Sequence, residues 1–246
     1  MEAFIEDGIV MISQPHDDFN EERYLKARSL EGRVLTNNQV SKLPFTTTVH
    51  SHHNEWKLRA KSYKRLLSVI KKRKPVTLLD IGCGNGWLIG NLGKEFSNCE
   101  FTGVDLNRIE LKQASQLFGN DNTRFCYFDL INNTFFDNES FEVIIFNASI
   151  QYFDDLSTII KIAKSLLKPN GLLLINDSPL YNNSNESKEA KQRSKAYYKQ
   201  LGVPEMANNY FHHTVDELTE LGFAKYQNWT ALVPKYPFPL YIYSKP

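Results

Sequence analysis

The spacing of hydrophobic residues along this chain changes close to Pro75. Before that point, apolar residues recur with the period of one face of a helix. The clearest helix is predicted over Asn54–Lys72, and its apolar face consists of Trp56, Ala60, Tyr63, Leu67 and Ile70. Two shorter helices are predicted over Phe19–Leu30 and Thr36–Leu43, and we expect no strand in this part of the chain.

After Pro75, short apolar strands alternate with amphipathic helices. The predicted strands are Val76–Ile81, Glu100–Val104, Arg124–Phe128, Phe141–Phe146 and Gly171–Asn176. Helices are predicted after the first, second and fourth strands, and they end at about Phe96, Phe118 and Leu167. A tight turn at Pro169-Asn170-Gly171 precedes the fifth strand. This alternation predicts an α/β fold with a doubly wound, mostly parallel sheet.

The stretch Asp177–His213 interrupts the alternation. It holds a polar loop and a helix predicted over Lys188–Gln200, and we interpret it as an insertion. We therefore divide the chain into an N-terminal helical extension or lid, residues 1–74, and one domain, residues 75–246. The insertion occupies about residues 178–213 of that domain.

The end of the chain is predicted to hold one more helix and two more strands. The helix covers Thr214–Leu221, and Thr214 and Glu217 form a capping box at its start. The strands cover Tyr226–Val233 and Leu240–Ser244, and the loop between them is short enough for an antiparallel hairpin. The complete prediction is a seven-stranded sheet that ends in this hairpin.

Composition and charge narrow the classes of protein that this chain can be. Hydrophobic residues make up 41% and charged residues 23%, which allows a sizeable core. The formal net charge of +1 gives no reason to expect a nucleic-acid partner. Cys83, Cys99 and Cys126 lack metal-ligand spacing, so we expect free thiols and no metal. Because the chain shows neither a signal-peptide pattern nor an apolar run of ~20 residues, we expect a cytoplasmic protein without a membrane partner.

The stretch with the clearest chemistry follows the first predicted strand. Asp80 precedes glycines at alternate positions, Gly82, Gly84 and Gly86, and a helix follows them. Glycines let a ligand approach bare backbone, and the start of a helix attracts a carboxylate or a phosphate. The charge of Asp80 suits a ligand that is partly cationic. S-adenosylmethionine, with its amino acid, ribose, adenine and sulfonium, fits all of these features.

Polar residues also follow the other predicted strands. Asp105 closes the second strand ~20 residues after the glycines, where an acid can accept both hydroxyls of a ribose. Asp129 and Leu130 follow the third strand and Asn147 follows the fourth, and ligands of open parallel sheets bind at such strand ends. Two plainer interpretations stay open: Asn147 can cap the next helix or loop, and Asp129 can be an ordinary loop acid.

A nicotinamide dinucleotide is the alternative ligand. Its fingerprint requires a third glycine at the position where Trp87 stands. A short-chain reductase also needs a Tyr-x-x-x-Lys pair on a helix, and Tyr241 and Lys245 lie on a predicted strand, which separates their side chains. Both departures disfavour this alternative.

Together these segments resemble the motifs of class I S-adenosylmethionine-dependent methyltransferases. Leu79-Asp80-Ile81-Gly82-Cys83-Gly84-Asn85-Gly86 is similar to the family's first motif. Val104-Asp105-Leu106 resembles its acidic second-strand motif, and Phe128-Asp129-Leu130 resembles its adenine-contacting motif. The stretch from Leu167 to Leu174 resembles the LKPGG turn, with Asn170 in place of the first glycine. The resemblance covers about Val76–Asp177, and the final hairpin also fits the family.

The resemblance implies a Rossmann-like enzyme that uses S-adenosyl-L-methionine and releases S-adenosyl-L-homocysteine. It assigns the methionine part to the backbone at Gly82 and Gly84, the ribose to Asp105, and the adenine amino group to Asp129. Asn147 is expected to face both the cofactor and the acceptor. The expected cofactor-binding residues are Asp80, Gly82, Cys83, Gly84, Asp105, Leu106, Asp129, Leu130 and Asn147.

Methyl transfer requires a base only when the acceptor keeps its proton. The candidate catalytic residues are His212 and His213, at the end of the insertion, and Tyr152, after the fourth strand. Plainer interpretations are surface histidines and a core aromatic residue, and Tyr152 can also face the sulfonium. A second histidine cluster lacks ligands at metal spacing and precedes the basic helix: His50, His52 and His53.

We expect the acceptor to be a small or medium-sized molecule. The segment Asn147–Ile150 lacks the Asn/Asp-Pro-Pro-Tyr/Phe motif of adenine-N6 and glutamine-directed enzymes. One alternative is an RNA- or protein-directed methyltransferase that uses the basic face of the helix at 54–74. The other is a module that binds the cofactor without turnover. The sequence leaves the oligomeric state open.

Overall fold

The computed structural model describes residues 3–14, 19–48, 50–132, 135–226 and 238–246. Within these residues the strands form a single sheet in the order β1-β2-β5-β4-β3-β6-β7-β9-β8. The strands are β1 (Phe4–Glu6), β2 (Ile9–Met11), β3 (Thr77–Ile81), β4 (Glu100–Asp105), β5 (Thr123–Tyr127), β6 (Phe141–Asn147), β7 (Leu167–Asn176), β8 (Ala224–Lys225) and β9 (Tyr241–Ser244). β2 to β7 run parallel, whereas β1 and β9 are antiparallel to their neighbours.

Helices cover both faces of the sheet. They are α1 (Phe19–Leu30), α2 (Asn37–Val40), α3 (His53–Arg73), α4 (Trp87–Glu95), α5 (Arg108–Phe118), α6 (Leu156–Leu166), α7 (Ser184–Leu201) and α8 (Val215–Glu220). Short 3-10 turns lie at Leu130–Asn132, Ile150–Tyr152 and Pro204–Asn209. Within the described ranges, none of these helices has the length and apolarity that crossing a bilayer would require.

Successive residues of the central strand belong to different cores. Leu78 packs in one cluster with residues of α3, α4 and α5, whereas Leu79 packs in a second cluster with residues of α6 and α8. Both leucines are completely buried. A strand buried on both faces has no polar alternation, which explains the continuous apolar runs of β3, β6 and β7. The expected doubly wound α/β sheet is confirmed.

A third, smaller cluster lies away from the sheet. It joins Ala27 of α1 and Tyr198 of α7 to Val203, Met206 and Ala207. We call α1, α7 and residues 204–209 the roof. The roof thus has apolar packing of its own, which links the N-terminal segment to the insertion.

The N-terminal part differs from the sequence prediction. We expected seven strands and none before Pro75, but β1 and β2 form a hairpin whose second strand pairs in parallel with β5. Each is three residues long, and β1 is exposed throughout, so neither produces a recognisable alternating pattern. Among the described residues the sheet therefore has nine strands.

Two further differences lie near the end of the sheet. The predicted turn Pro169-Asn170-Gly171 falls within β7, where Leu167 pairs with Phe141 and Leu172 with Val143, so an irregularity absorbs the extra residues. The predicted strand Tyr226–Val233 lies outside the described residues apart from its first position. Besides β7, the described antiparallel partner of β9 is β8, Ala224–Lys225.

Candidate functional site

A cavity of about 500 Å³ opens where β3, β4, β5 and β6 end. Its lower side is formed by the loops that follow these strands, and we call it the sheet side. Its upper side, the roof side, is formed by residues of α1 and α3, by Met206 and Asn209 of the roof, and by Phe211. The cavity lies at the carboxyl ends of the parallel strands, the usual binding position in such sheets.

The turn from β3 to α4 needs glycine for two separate reasons. Gly82 and Gly86 both have φ of 73°, in the left-handed region that side chains disfavour. A Cβ added at Gly82 would lie 2.5 Å from Ser149 Cβ, and one at Gly86 would lie 2.8 Å from Ala114 Cβ. The turn is held to β4 because the amides of Gly82 and Cys83 both donate to the Val104 carbonyl, at 2.8 and 3.1 Å. The glycines thus permit close packing and leave backbone facing the cavity.

Asp105 anchors the adjacent loop. Its Oδ2 accepts a hydrogen bond from the Gly84 amide at 2.8 Å, and its Oδ1 accepts from the amides of Leu106 and Asn107 at 2.7 and 2.9 Å. Burial raises the pKa of the Asp105 carboxyl, and these backbone donors oppose the rise by favouring the charged form. The carboxylate is therefore held in a fixed position on the sheet side.

Asp129 also lines the sheet side, together with Leu106 and Leu130, the two residues expected to contact the adenine ring. The Asp129 amide donates to Ser13 Oγ at 3.0 Å, so Ser13, two residues beyond the N-terminal hairpin, braces this loop. Leu106 is 41% exposed and Leu130 is 3% exposed, and both border the cavity. An apolar surface suits the face of a planar ring, and the carboxylate of Asp129 beside it suits a hydrogen-bond donor at the edge of the ring.

Asn147 does not cap the next helix. The cap of α6 is Asp155, whose Oδ1 accepts from the Thr158 amide at 3.0 Å. Asn147 Oδ1 instead accepts from Asn176 Nδ2 at 2.9 Å, and Arg65 donates to Asn176 Oδ1 at 3.2 Å. A buried polar network between β6, β7 and α3 therefore positions Asn147 at the cavity.

Comparison with known proteins identifies the family. The profile of a family described as "Methyltransferase domain" matches residues 72–230, which is more than half of the chain. The chain belongs to the class I S-adenosylmethionine-dependent methyltransferases. The malonyl-[acyl-carrier protein] O-methyltransferase of Halalkalibacterium halodurans is 28% identical over 150 residues, covering 57% of this chain and 55% of that protein.

Solved structures support the fold. The YcgJ protein of Bacillus subtilis has a TM-score of 0.58 at 18% identity, over 69% of this chain and 72% of its own. An O-methyltransferase family protein of Burkholderia thailandensis has a TM-score of 0.55 at 15% identity, over 91% of this chain and 70% of its own. This methyltransferase spans about half the length of the first curated relatives it matches, 55% and 49%.

One predicted cofactor contact of this methyltransferase is placed differently. Asp80 is 1% exposed and does not line the cavity. Burial, together with the charge of Asp105, raises the pKa of its carboxyl well above the usual value. Asp80 Oδ1 lacks a hydrogen-bond partner among the described residues. The sequence showed an acid at a strand end but not that its side chain is buried and outside the cavity lining.

Of the three candidate catalytic residues, the cavity includes Tyr152 alone. His212 Nε2 lies 2.8 Å from Ser194 Oγ, and its ring packs against Tyr181 and Tyr210. His213 is 6% exposed, and its Nε2 donates to the Phe153 carbonyl at 2.9 Å. His212 therefore makes these contacts within the insertion, whereas His213 holds the end of the insertion to the segment after β6. The positions of the two histidines in the sequence did not indicate this.

The cavity also contains residues that the sequence analysis did not select. Glu110 of α5 is the clearest on the sheet side, because its Oε2 would lie 3.1 Å from a Cβ added at Gly84. Burial raises the pKa of Glu110 to about 7, against the opposing charge of Arg28. Other unselected residues are on the roof side: Tyr24, Arg28, Arg33, Trp56 and Arg59. The N-terminal segment supplies them from far along the chain, and no local motif marks them.

Proposed function

We propose that this protein transfers the methyl group of S-adenosylmethionine to a small or medium-sized metabolite. The observation that carries the proposal is the two-sided cavity, in which helices and the roof face the cofactor motifs across the same space. Its volume of about 500 Å³ falls within the range of small-molecule sites. A macromolecular acceptor would favour an open groove in place of this cover.

The residues present fit the cofactor. The glycine turn would offer bare backbone to the methionine part, and its tight contacts with Ser149 and Ala114 exclude side chains at Gly82 and Gly86. The fixed carboxylate of Asp105 suits the two ribose hydroxyls, and Asp129 suits the adenine amino group. Leu106 and Leu130 would border the adenine ring.

The cofactor supplies a methyl group on a sulfonium, which leaves a thioether after transfer. The chain would contribute alignment of the two reactants and exclusion of water. Asn147 and Tyr152 both line the cavity, and we expect the two reactants to meet beside them. Tyr152 contacts Tyr24 and Tyr210 edge to face, with ring centroids 5.8 Å apart in each pair, so its ring is held in place.

An acceptor screen tests this proposal. The protein would be incubated with S-adenosylmethionine and a panel of metabolites, and release of S-adenosylhomocysteine would be measured. The relatives named malonyl-[acyl-carrier protein] O-methyltransferases make malonyl thioesters reasonable members of the panel. We expect release above the acceptor-free background with at least one small acceptor. Release with RNA or protein acceptors alone would contradict the proposal.

The basic helix α3 supports the alternative of an RNA- or protein-directed methyltransferase less than its sequence suggests. Arg59 lines the cavity, and Arg65 donates to Asn176 and to the Phe238 carbonyl at 3.2 and 2.9 Å. These two charges face inwards. A steep salt dependence of RNA binding would support an RNA-directed enzyme. If the protein is instead a module that binds the cofactor without turnover, no acceptor will cause release of S-adenosylhomocysteine.

A further inference from the structure

Three arginines line the roof side of the cavity, and the proposed role of the sheet side does not use them. Arg28 lies on α1, Arg33 follows that helix and Arg59 lies on α3. Their carboxylate partners, Glu31 and Glu55, are not part of the cavity lining. The three arginines therefore contribute to the surface of the cavity, whereas the two glutamates do not.

The ion pairs fix the geometry of this arginine cluster. Arg33 donates to both oxygens of Glu55, at 2.9 and 2.7 Å, and Arg59 Nε donates to Glu55 Oε1 at 3.1 Å. Glu31 Oε2 lies 3.3 Å from Arg33 Nε and 3.5 Å from Arg28 Nη1. The Arg59 guanidinium also lies over the Trp56 ring, 5.2 Å from its centroid. A chain of alternating charges thus holds all three arginines in place.

The charges of this cluster do not cancel. Burial opposes ionisation of Glu55, but the hydrogen bond from Arg33 and the charge of Arg59 lower its pKa to about 2. Glu55 is therefore ionised and serves two guanidinium groups at once. Even with Glu31 also ionised, the cluster keeps an excess of one positive charge. A guanidinium has five N–H donors, so its hydrogen bonds to the shared carboxylates leave other N–H groups available for a ligand.

Most acids of the cavity lie on the sheet side: Asp105, Glu110 and Asp129 come from β4, α5 and the loop after β5, and Asp154 precedes α6. Glu21 of α1 is an acid of the roof side, and its Oε2 lies 3.3 Å from Arg108 Nε. Glu110 acts electrostatically on Arg28. Arg33 and Arg59 instead share Glu55 as a hydrogen-bond partner, and Arg59 also acts on the buried carboxyl of Asp177.

We propose that the methyl acceptor carries a carboxylate or phosphate group, which Arg33 and Arg59 hold on the roof side with Arg28 beside them. The planar fork of a guanidinium suits both oxyanions. This inference rests on the proposed function, because it names a class of acceptor for the same cavity. It adds that neutral molecules of similar size are poor acceptors.

The test is calorimetric titration of the S-adenosylhomocysteine-loaded protein with malonate, with inorganic phosphate and with neutral malonamide. We expect malonate or phosphate to bind and malonamide not to bind. The tighter of the two anions distinguishes a carboxylate acceptor from a phosphate acceptor. Failure of the wild-type protein to bind S-adenosylhomocysteine would contradict the proposed function, and the same titration without the nucleoside would then test the arginine cluster alone.

Arg59→Gln is the decisive variant, because Glu55 keeps both of its hydrogen bonds from Arg33. We expect it to weaken anion binding about tenfold while the affinity for S-adenosylhomocysteine stays unchanged. Arg59→Lys keeps the charge without the fork, and we expect an intermediate loss. Arg193→Gln is the matched control, since Arg193 lies on α7 with 66% of its side chain exposed. The proposal is overturned if neither anion binds, if malonamide binds equally well, or if folded Arg59→Gln binds anions like the wild type.

Discussion

The carboxylate of Asp105 accepts a hydrogen bond from the backbone amide of Gly84, with 2.8 Å between Oδ2 and N. This bond joins the end of β4 to the turn after β3, two points that are 21 residues apart in the chain. The residue proposed to bind the ribose therefore also holds the turn proposed to bind the methionine part. Changes at Asp105 should affect both parts of the cofactor site.

Gly86→Ala should destabilise the protein, whereas Gly93→Ala should not. A Cβ at Gly86 would lie 2.8 Å from Ala114 Cβ and from the Phe125 ring, and its φ is 73°. We expect a loss of about 1–3 kcal/mol in the free energy of unfolding from such overpacking. Gly93 lies in α4 with open space around it, so its alanine variant should gain roughly 0.5–1 kcal/mol. Denaturant unfolding of both variants checks this, and equal stabilities would contradict the geometry of the turn.

Glu110→Gln should change the pH dependence of stability. The pKa of Glu110 is about 7 in the folded protein, above the value of about 4.3 expected when unfolded. Between these values the folded state binds more protons, so the Glu110 contribution makes the free energy of unfolding fall as pH rises. The variant lacks this contribution. Its melting temperature should exceed that of the wild type at about pH 8 and match it near pH 4.5. The reverse order at the higher pH would show that Glu110 is stabilised as a carboxylate.

His213→Ala should lower stability without changing cofactor affinity. The variant loses the hydrogen bond to the Phe153 carbonyl and leaves a space at a position that is 6% exposed. We expect a loss of about 1–3 kcal/mol in the free energy of unfolding. Calorimetry should give a dissociation constant for S-adenosylhomocysteine within roughly twofold of the wild type. A large loss of affinity for S-adenosylhomocysteine with unchanged stability would indicate that His213 belongs to the cofactor site.

Local patterns predicted the parts of the fold that local physics determines. Helix α1 has the predicted bounds Phe19–Leu30, and the capping box of Thr214 and Glu217 is present. β3, β4 and β6 lie within one residue of their predicted positions because their apolar runs are long and end in polar residues. The fold class followed from this alternation.

The rest depends on contacts that no local pattern contains. Arg33 and Glu55 are 22 residues apart and meet only when α1 and α3 are in place. The direction of Asp80 depends on the twist and packing of β3, since an acid at a strand end can point into either layer. The β1–β2 hairpin is recognisable from its pairing with β5 and not from its sequence. The sheet side of the cavity could therefore be predicted, whereas the roof side required the structure.

The central claim is that the glycine turn and Asp105 form an S-adenosylmethionine site, and calorimetric titration with S-adenosylhomocysteine tests it most directly. We expect the wild-type protein to bind one molecule per chain and Asp105→Ala to lose detectable binding. Asp216→Ala is the matched control, because this aspartate is exposed on α8 and should leave binding unchanged. A wild-type protein that does not bind, or a folded Asp105→Ala variant that binds with the same affinity, would contradict the account.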